Sequence, residues 1–269
     1  VANKKNFLVS TDLIGVFGSI SDWLDTWGFV LDHPHFNGVE MIGWRGTAQR
    51  LEKYRSVGIP IIGIHGRTGG IAETRDIGDL VTLPAINQLF DTVACLAQSS
   101  RNVEYLLFHI GLVPHILSCN ALQSTPLVVI ENDTKRNSVT ACVNALSSLR
   151  DHGIKAEVTY DIVHFLREGD GHINMSRWDE ALKVFENVQP TGFHLPIGTH
   201  TSDSLPLTTM PLSALKELGS ALSAHRPKYV ILENQQIRRY SLVLTSSAKA
   251  QVRARNSHLI DILGDTGIL

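Results

Sequence analysis

Residues 126–131 read Pro126-Leu127-Val128-Val129-Ile130-Glu131, and this stretch decides the fold. Four successive apolar side chains, two of them valine and one isoleucine, leave no polar alternation. A strand of that kind is buried on both faces, as in a parallel sheet. It is too short for a buried helix, and it ends on a carboxylate. An ionisable group at the end of an apolar strand asks for a reason.

The same theme recurs on both sides. Upstream lie Phe7 to Thr11, Gly38 to Trp44, Pro60 to His65 and Val103 to His109. Downstream lie Ala156 to Asp161, Gly192 to Leu195 and Lys228 to Glu233. Between the runs, apolar residues recur at spacings of three and four. Ala48 to Val57, Ala85 to Gln98, Ser138 to His152, Trp178 to Asn187 and Leu212 to His225 therefore read as helices. Gly153 follows one of them as a turn residue. Strands alternating with helices specify an α/β fold with a parallel sheet. Eight such units in a chain of 269 residues predict a closed (β/α)8 TIM barrel, one domain over residues 1–269. The competing architecture, a doubly wound open sheet, is disfavoured because no GxGxxG follows the first strand.

Composition sets the outer limits. With 43% apolar and 19% charged residues the chain can bury a sizeable core, which excludes general disorder. A formal net charge of −2 gives no support for non-specific nucleic-acid binding. No apolar run approaches the roughly 18 residues of a membrane helix. Val1 to Asn6 shows no signal pattern, although the chain does not start with methionine, which leaves room for a processed leader. Cys95, Cys119 and Cys142 are far apart, and each falls in a helix-like stretch. They read as buried free thiols of a reducing compartment, and the expected location is cytoplasmic.

The strand ends carry the chemistry. Strand three ends at His65, strand four at His109, strand five at Glu131 and strand six at Asp161, with His164 three residues on. Strand seven carries His194, and strand eight ends at Glu233. In a barrel these ends converge on the face where active sites lie. Buried charges cost several kcal/mol unless they pair or bind metal. A single strand-end histidine is usually structural, but six consecutive strands ending in His, Asp or Glu point to a divalent metal. Mixed imidazole and carboxylate donors suit Zn²⁺, Mn²⁺, Fe²⁺ or Co²⁺. His33, His35, His115, His152, His172, His225 and His258 lie in loops or helices and read as ordinary surface or packing residues.

This pattern resembles the xylose isomerase-like TIM barrel superfamily, which holds sugar isomerases, sugar epimerases and the endonuclease IV family. The resemblance runs from Phe7 to about Asn234. It implies a catalytic metal held by Glu131, Asp161, His194 and Glu233. It implies Glu131 and Glu233 as acid and base on opposite faces of a sugar or sugar phosphate, with His164 beside them. The implied reaction is isomerisation or epimerisation through a metal-stabilised enediolate. Glu40, in Gly38-Val39-Glu40-Met41, matches a common second-strand feature and reads as structural. The ion could be Mn, Zn, Mg, Co or Fe. One ion is the first expectation, and up to three are compatible with the additional donors His65 and His109.

The second expectation is a multinuclear zinc phosphodiesterase like the endonuclease IV enzymes, acting on abasic DNA. His65, His109 and the Asp161/His164 pair match it. Three departures count against it. The loop after strand seven reads His200-Thr201-Ser202-Asp203 where that family has Asp-x-His, the first strand lacks the family's Gly-Ala-His-Val-Ser type run, and the fifth continues as Glu131-Asn132-Asp133-Thr134-Lys135-Arg136. The isomerase reading has a departure of its own, because no arginine follows His194 closely. His200 is then the expected replacement as a substrate-binding group. Arg67, in a Gly-Arg-Thr-Gly-Gly turn, offers a guanidinium to a phosphate or carboxylate. Trp44 and Arg45 are expected to line the pocket. The segment from Arg238 to Arg255 reads as a basic final helix with a solvated face. The expected partner is a small molecule rather than nucleic acid or membrane, and a homo-oligomer fits the barrel habit.

Overall fold

The computed structural model describes residues 6–10, 36–43, 58, 60–66, 90–91, 94–95, 97, 102–123, 125, 127–133, 137–167, 172–197, 205, 207–234 and 246–269. The strands among them are β1 (Asn6–Ser10), β2 (Phe36–Gly43), β3 (Ile61–Gly66), β4 (Tyr105–His109), β5 (Val128–Glu131), β6 (Ala156–Asp161), β7 (Gly192–Ile197) and β8 (Tyr229–Asn234). They follow one another in sequence order as a closed barrel, and the pairings along it are parallel. The described helices are α1 (Val113–Ile116), α2 (Ser138–Asp151), α3 (Ile162–Leu166), α4 (Trp178–Val188), α5 (Leu212–His225) and α6 (Ser246–Asp265). The expected (β/α)8 barrel is therefore the fold. Among the described residues, no helix is long and apolar enough to cross a membrane.

Backbone contacts divide the chain into two compact units, Gly38–Tyr160 and Val1–Asn37 with Asp161–Leu269. In the Gly38–Tyr160 unit every residue of β5 is buried, as an unbroken apolar run requires. Phe108 on β4 meets Phe90 edge to face at 5.2 Å, a favoured aromatic geometry. Helix α2 buries Val139, Cys142 and Leu149, which lie three and seven residues apart on one face. Gly153 follows it just past the cap residue His152, and its φ of 77° is the left-handed conformation expected there. The Gly153 amide donates to the Arg150 carbonyl and the Ile154 amide to the Leu149 carbonyl.

The cysteines correct one expectation, since only Cys142 is buried. Cys95 sits between the buried Ala94 and Ala97 and faces outward. Cys119 is half-buried and precedes the short 3-10 turn Asn120–Leu122 rather than lying in a helix. Burial, and then the charges of Asp133 and Glu131, push the Cys142 thiol far above its ordinary range. It packs as an inert apolar group.

In the other unit, β7 runs two residues past its expected end at Leu195. Its register with β8 continues through Pro196 opposite Glu233 and Ile197 opposite Asn234. Proline lacks only the amide hydrogen, and the Pro196 carbonyl still accepts from the Leu205 amide at 2.8 Å. The final helix differs from expectation as well. It extends to Asp265, ten residues beyond Arg255. Val252, Asn256, Leu259 and Leu263 form a buried stripe at spacings of four, three and four. Arg253 is exposed and Arg255 half-buried, so the basic side chains flank a packed face. Arg238 and Arg239 lie outside the described residues.

Gly219, inside α5, stands where the chain terminus approaches. A Cβ there would overlap the Thr266 carbonyl oxygen and lie 3.0 Å from the Gly267 carbonyl carbon. Helix propensity favours alanine over glycine by about 1 kcal/mol, whereas backbone atoms cannot rotate away. Gly219→Ala is therefore expected to destabilise the protein by about 1–3 kcal/mol, the usual overpacking cost. Urea unfolding with an unchanged or raised midpoint would refute that packing argument.

Candidate metal centre

In the Gly38–Tyr160 unit, His65 lies on β3, His109 closes β4 and Glu131 closes β5. Glu131 stands opposite His109 in the β4–β5 register. Its Oε2 is 2.9 Å from His109 Nε2 and 3.5 Å from His65 Nε2. The two imidazole rings lie 5.1 Å apart at 52°. His65 and Glu131 are fully buried, and His109 keeps slight exposure. The backbone after His109 turns at once into a 3-10 turn (Ile110–Leu112) and α1, so the ring stands at the strand's very end.

One donor atom from each of these three residues lies within 4.8 Å of the others. The set is two neutral-capable nitrogens and one carboxylate, which is chemistry for a borderline divalent ion. Four donors around Zn²⁺ at 2.0–2.1 Å stand about 3.3 Å from one another, by tetrahedral geometry. The 2.9 and 3.5 Å separations bracket that value. The residues thus fit a metal ion as they stand. Glu40 on β2 joins the group from the far side of His65, with Oε1 3.3 Å from His65 Nδ1.

In the other unit, His194 on β7 and Glu233 on β8 are buried, with Nδ1 and Oε1 3.2 Å apart. His194 pairs with Ile231 and Glu233 with Pro196, so the two side chains meet diagonally. His194 therefore lies three residues inside its strand rather than at the end, because β7 is longer than expected. Asp161 ends β6 and caps α3. Its Oδ1 accepts from the His164 amide at 2.9 Å, as an N-terminal cap does. Its Oδ2 is 3.8 Å from His164 Nε2, and the His164 side chain is partly exposed. Asp161 thus serves local structure whatever else it binds.

The expected substrate-binding residues Arg67, His200, Trp44 and Arg45 lie outside the described residues. Two contributors escaped the sequence reading. Tyr105 hid as one aromatic residue within an apolar strand run, and its hydroxyl donates to Glu40 Oε2 at 2.7 Å. Gly63 hid as a small residue in a strand, where a glycine signals close approach of a neighbour. Glu40, which the sequence marks as a structural second-strand residue, has buried contacts to His65 and Tyr105.

No family model matches the sequence, and no curated protein matches it. Solved structures do. A xylose isomerase domain protein from Planctomyces limnophilus is similar at 13% identity and a TM-score of 0.56, covering 99% of this chain and 98% of its own. The AsfvAP:AG structure is similar at 13% identity and a TM-score of 0.53, covering 96% of this chain and 98% of its own. At such identities the likeness concerns the backbone alone. With the closed eight-stranded parallel barrel, it shows that this chain has a (β/α)8 TIM barrel fold like those two structures.

Proposed function

We propose that the protein is a divalent-metal-dependent isomerase or epimerase of a sugar or sugar phosphate. The observation that carries this reading is a pair of buried carboxylates, Glu131 and Glu233, each against a histidine. Buried carboxylates beside imidazoles are poised for proton transfer. The proposed ligand set is Glu131, Asp161, His194 and Glu233, taken from their strand positions in a barrel. A bound divalent ion would polarise a substrate carbonyl and acidify the adjacent C–H. Glu131 and Glu233 would then take the proton from one side and return it from the other. His164 would hold a substrate oxygen, and Arg67, His200, Trp44 and Arg45 would line the substrate pocket. The cytoplasm is the proposed location, where unbonded cysteines persist, and the proposed partner is the small-molecule substrate.

A second reading is a multinuclear phosphodiesterase acting on abasic DNA. The His65–Glu131–His109 group favours it, because it supplies donors beyond the four-residue set. Metal stoichiometry separates the two readings. One Mn²⁺ or similar ion per chain by elemental analysis, with ketose–aldose interconversion or C-epimerisation of a sugar panel, is the expected result. Two or three zinc ions per chain together with incision of an abasic duplex would replace the first reading by the second.

A further inference from the structure

Glu40, Gly63 and Tyr105 stand in one row across three neighbouring strands. Glu40 on β2 pairs with Gly63 on β3, and Gly63 pairs with Tyr105 on β4. The Tyr105 hydroxyl crosses the middle strand to donate to Glu40 Oε2 at 2.7 Å. It reaches that far because Gly63 has no side chain, since a Cβ there would overlap the ring and hydroxyl of Tyr105. The other carboxylate oxygen, Oε1, lies 3.3 Å from His65 Nδ1. The opposite ring nitrogen, Nε2, lies 3.5 Å from Glu131 Oε2. All of Glu40, His65 and Tyr105 are buried.

We infer that Glu40, held by Tyr105 across Gly63, is the positioning residue that aims His65 Nε2 at the metal beside Glu131 and His109. The inference rests on the reading of His65, His109 and Glu131 as metal donors, the group that also favours the second reading above, and adds Glu40, Gly63 and Tyr105 to it. A carboxylate against Nδ1 holds the ring proton there, which leaves the lone pair on Nε2. It also makes that nitrogen a better donor and fixes the plane of the ring. The hydroxyl of Tyr105 occupies Oε2 and so turns Oε1 to the histidine. Both contacts lie among side chains shut away from bulk solvent, where such hydrogen bonds are strongest. A carboxylate this deeply buried costs free energy unless it is used in such a network.

The test is a titration of metal-free protein with Zn²⁺ and with Mn²⁺ against a chromophoric chelator. Thermal unfolding is measured in parallel, with and without the ion. Tyr105→Phe and Glu40→Gln are each expected to weaken the affinity by about 10–100-fold, the usual effect of losing a group that orients a metal ligand. Gly63→Ala should do the same by displacing Tyr105, without removing any polar atom. Combined with Tyr105→Phe it should add little, because both act through one hydroxyl. A merely structural role would lower the melting temperature of the metal-free protein and leave the affinity unchanged. That result in Tyr105→Phe, with wild-type protein binding metal, overturns the relay alone. Wild-type protein that binds neither ion overturns the metal reading and the relay together.

Discussion

Glu131→Gln is expected to lower metal affinity by more than 100-fold while leaving the metal-free fold intact. Glu131 is the carboxylate that approaches both His65 and His109, at 3.5 and 2.9 Å. Glutamine keeps the shape and one acceptor oxygen, and it removes a charge that is buried on all sides. Loss of a group that only orients a ligand costs about 10–100-fold in affinity, so loss of a ligand itself should exceed that range. The thermal consequence is calculable. At a metal concentration of about 1,000 times Kd, bound metal stabilises the folded state by about 4 kcal/mol. After a 100-fold loss the same concentration contributes ~1.4 kcal/mol. The metal-induced rise in Tm should therefore shrink by roughly 5–10 °C for a domain of this size. Unchanged affinity in a correctly folded variant would remove Glu131 from the ligand set.

Glu233→Gln is expected to abolish exchange of the substrate's carbon-bound hydrogen with solvent. Positioned acid–base groups contribute about 100- to 10,000-fold, and the turnover of a responsive sugar should fall by that factor. Glu233 is buried and stands 3.2 Å from His194 Nδ1. The glutamine side chain retains an oxygen to face that ring, so His194 should keep its orientation. Deuterium incorporation from D₂O, followed by mass spectrometry, reads the proton step directly. Metal content measured on the same sample separates proton transfer from ligation. Exchange at the wild-type rate would sink the acid–base assignment.

Much of the barrel is visible in local sequence because its described strand residues are mostly buried. A strand covered on both faces is apolar along its run, so Val128, Val129 and Ile130 announce β5 without any neighbour. The element ends were harder to read. Pro196 looks like a terminator, yet the ladder with β8 carries β7 to Ile197. The buried stripe of α6, Val252, Asn256, Leu259 and Leu263, continues past Arg255, and the basic residues around it mask its period in the sequence. Exposure of Cys95 depends on which side of a helix faces the sheet, and composition does not carry that.

The same division runs through the candidate centre. Ionisable residues at the ends of apolar strands are a local signal, because burying such groups costs free energy wherever they lie. His65, His109, Glu131, Asp161, His194 and Glu233 were legible for that reason. The contacts within each unit were not legible, since partners on different strands are far apart in sequence. Tyr105 lies 65 residues from the Glu40 carboxylate to which it donates. Only the parallel register, Glu40 to Gly63 to Tyr105, brings them into one row. The strand run at 126–131 determines by itself that β5 is buried and ends in a carboxylate. What that carboxylate touches is decided by tertiary structure, because strand register is a property of pairs of strands and not of either one alone.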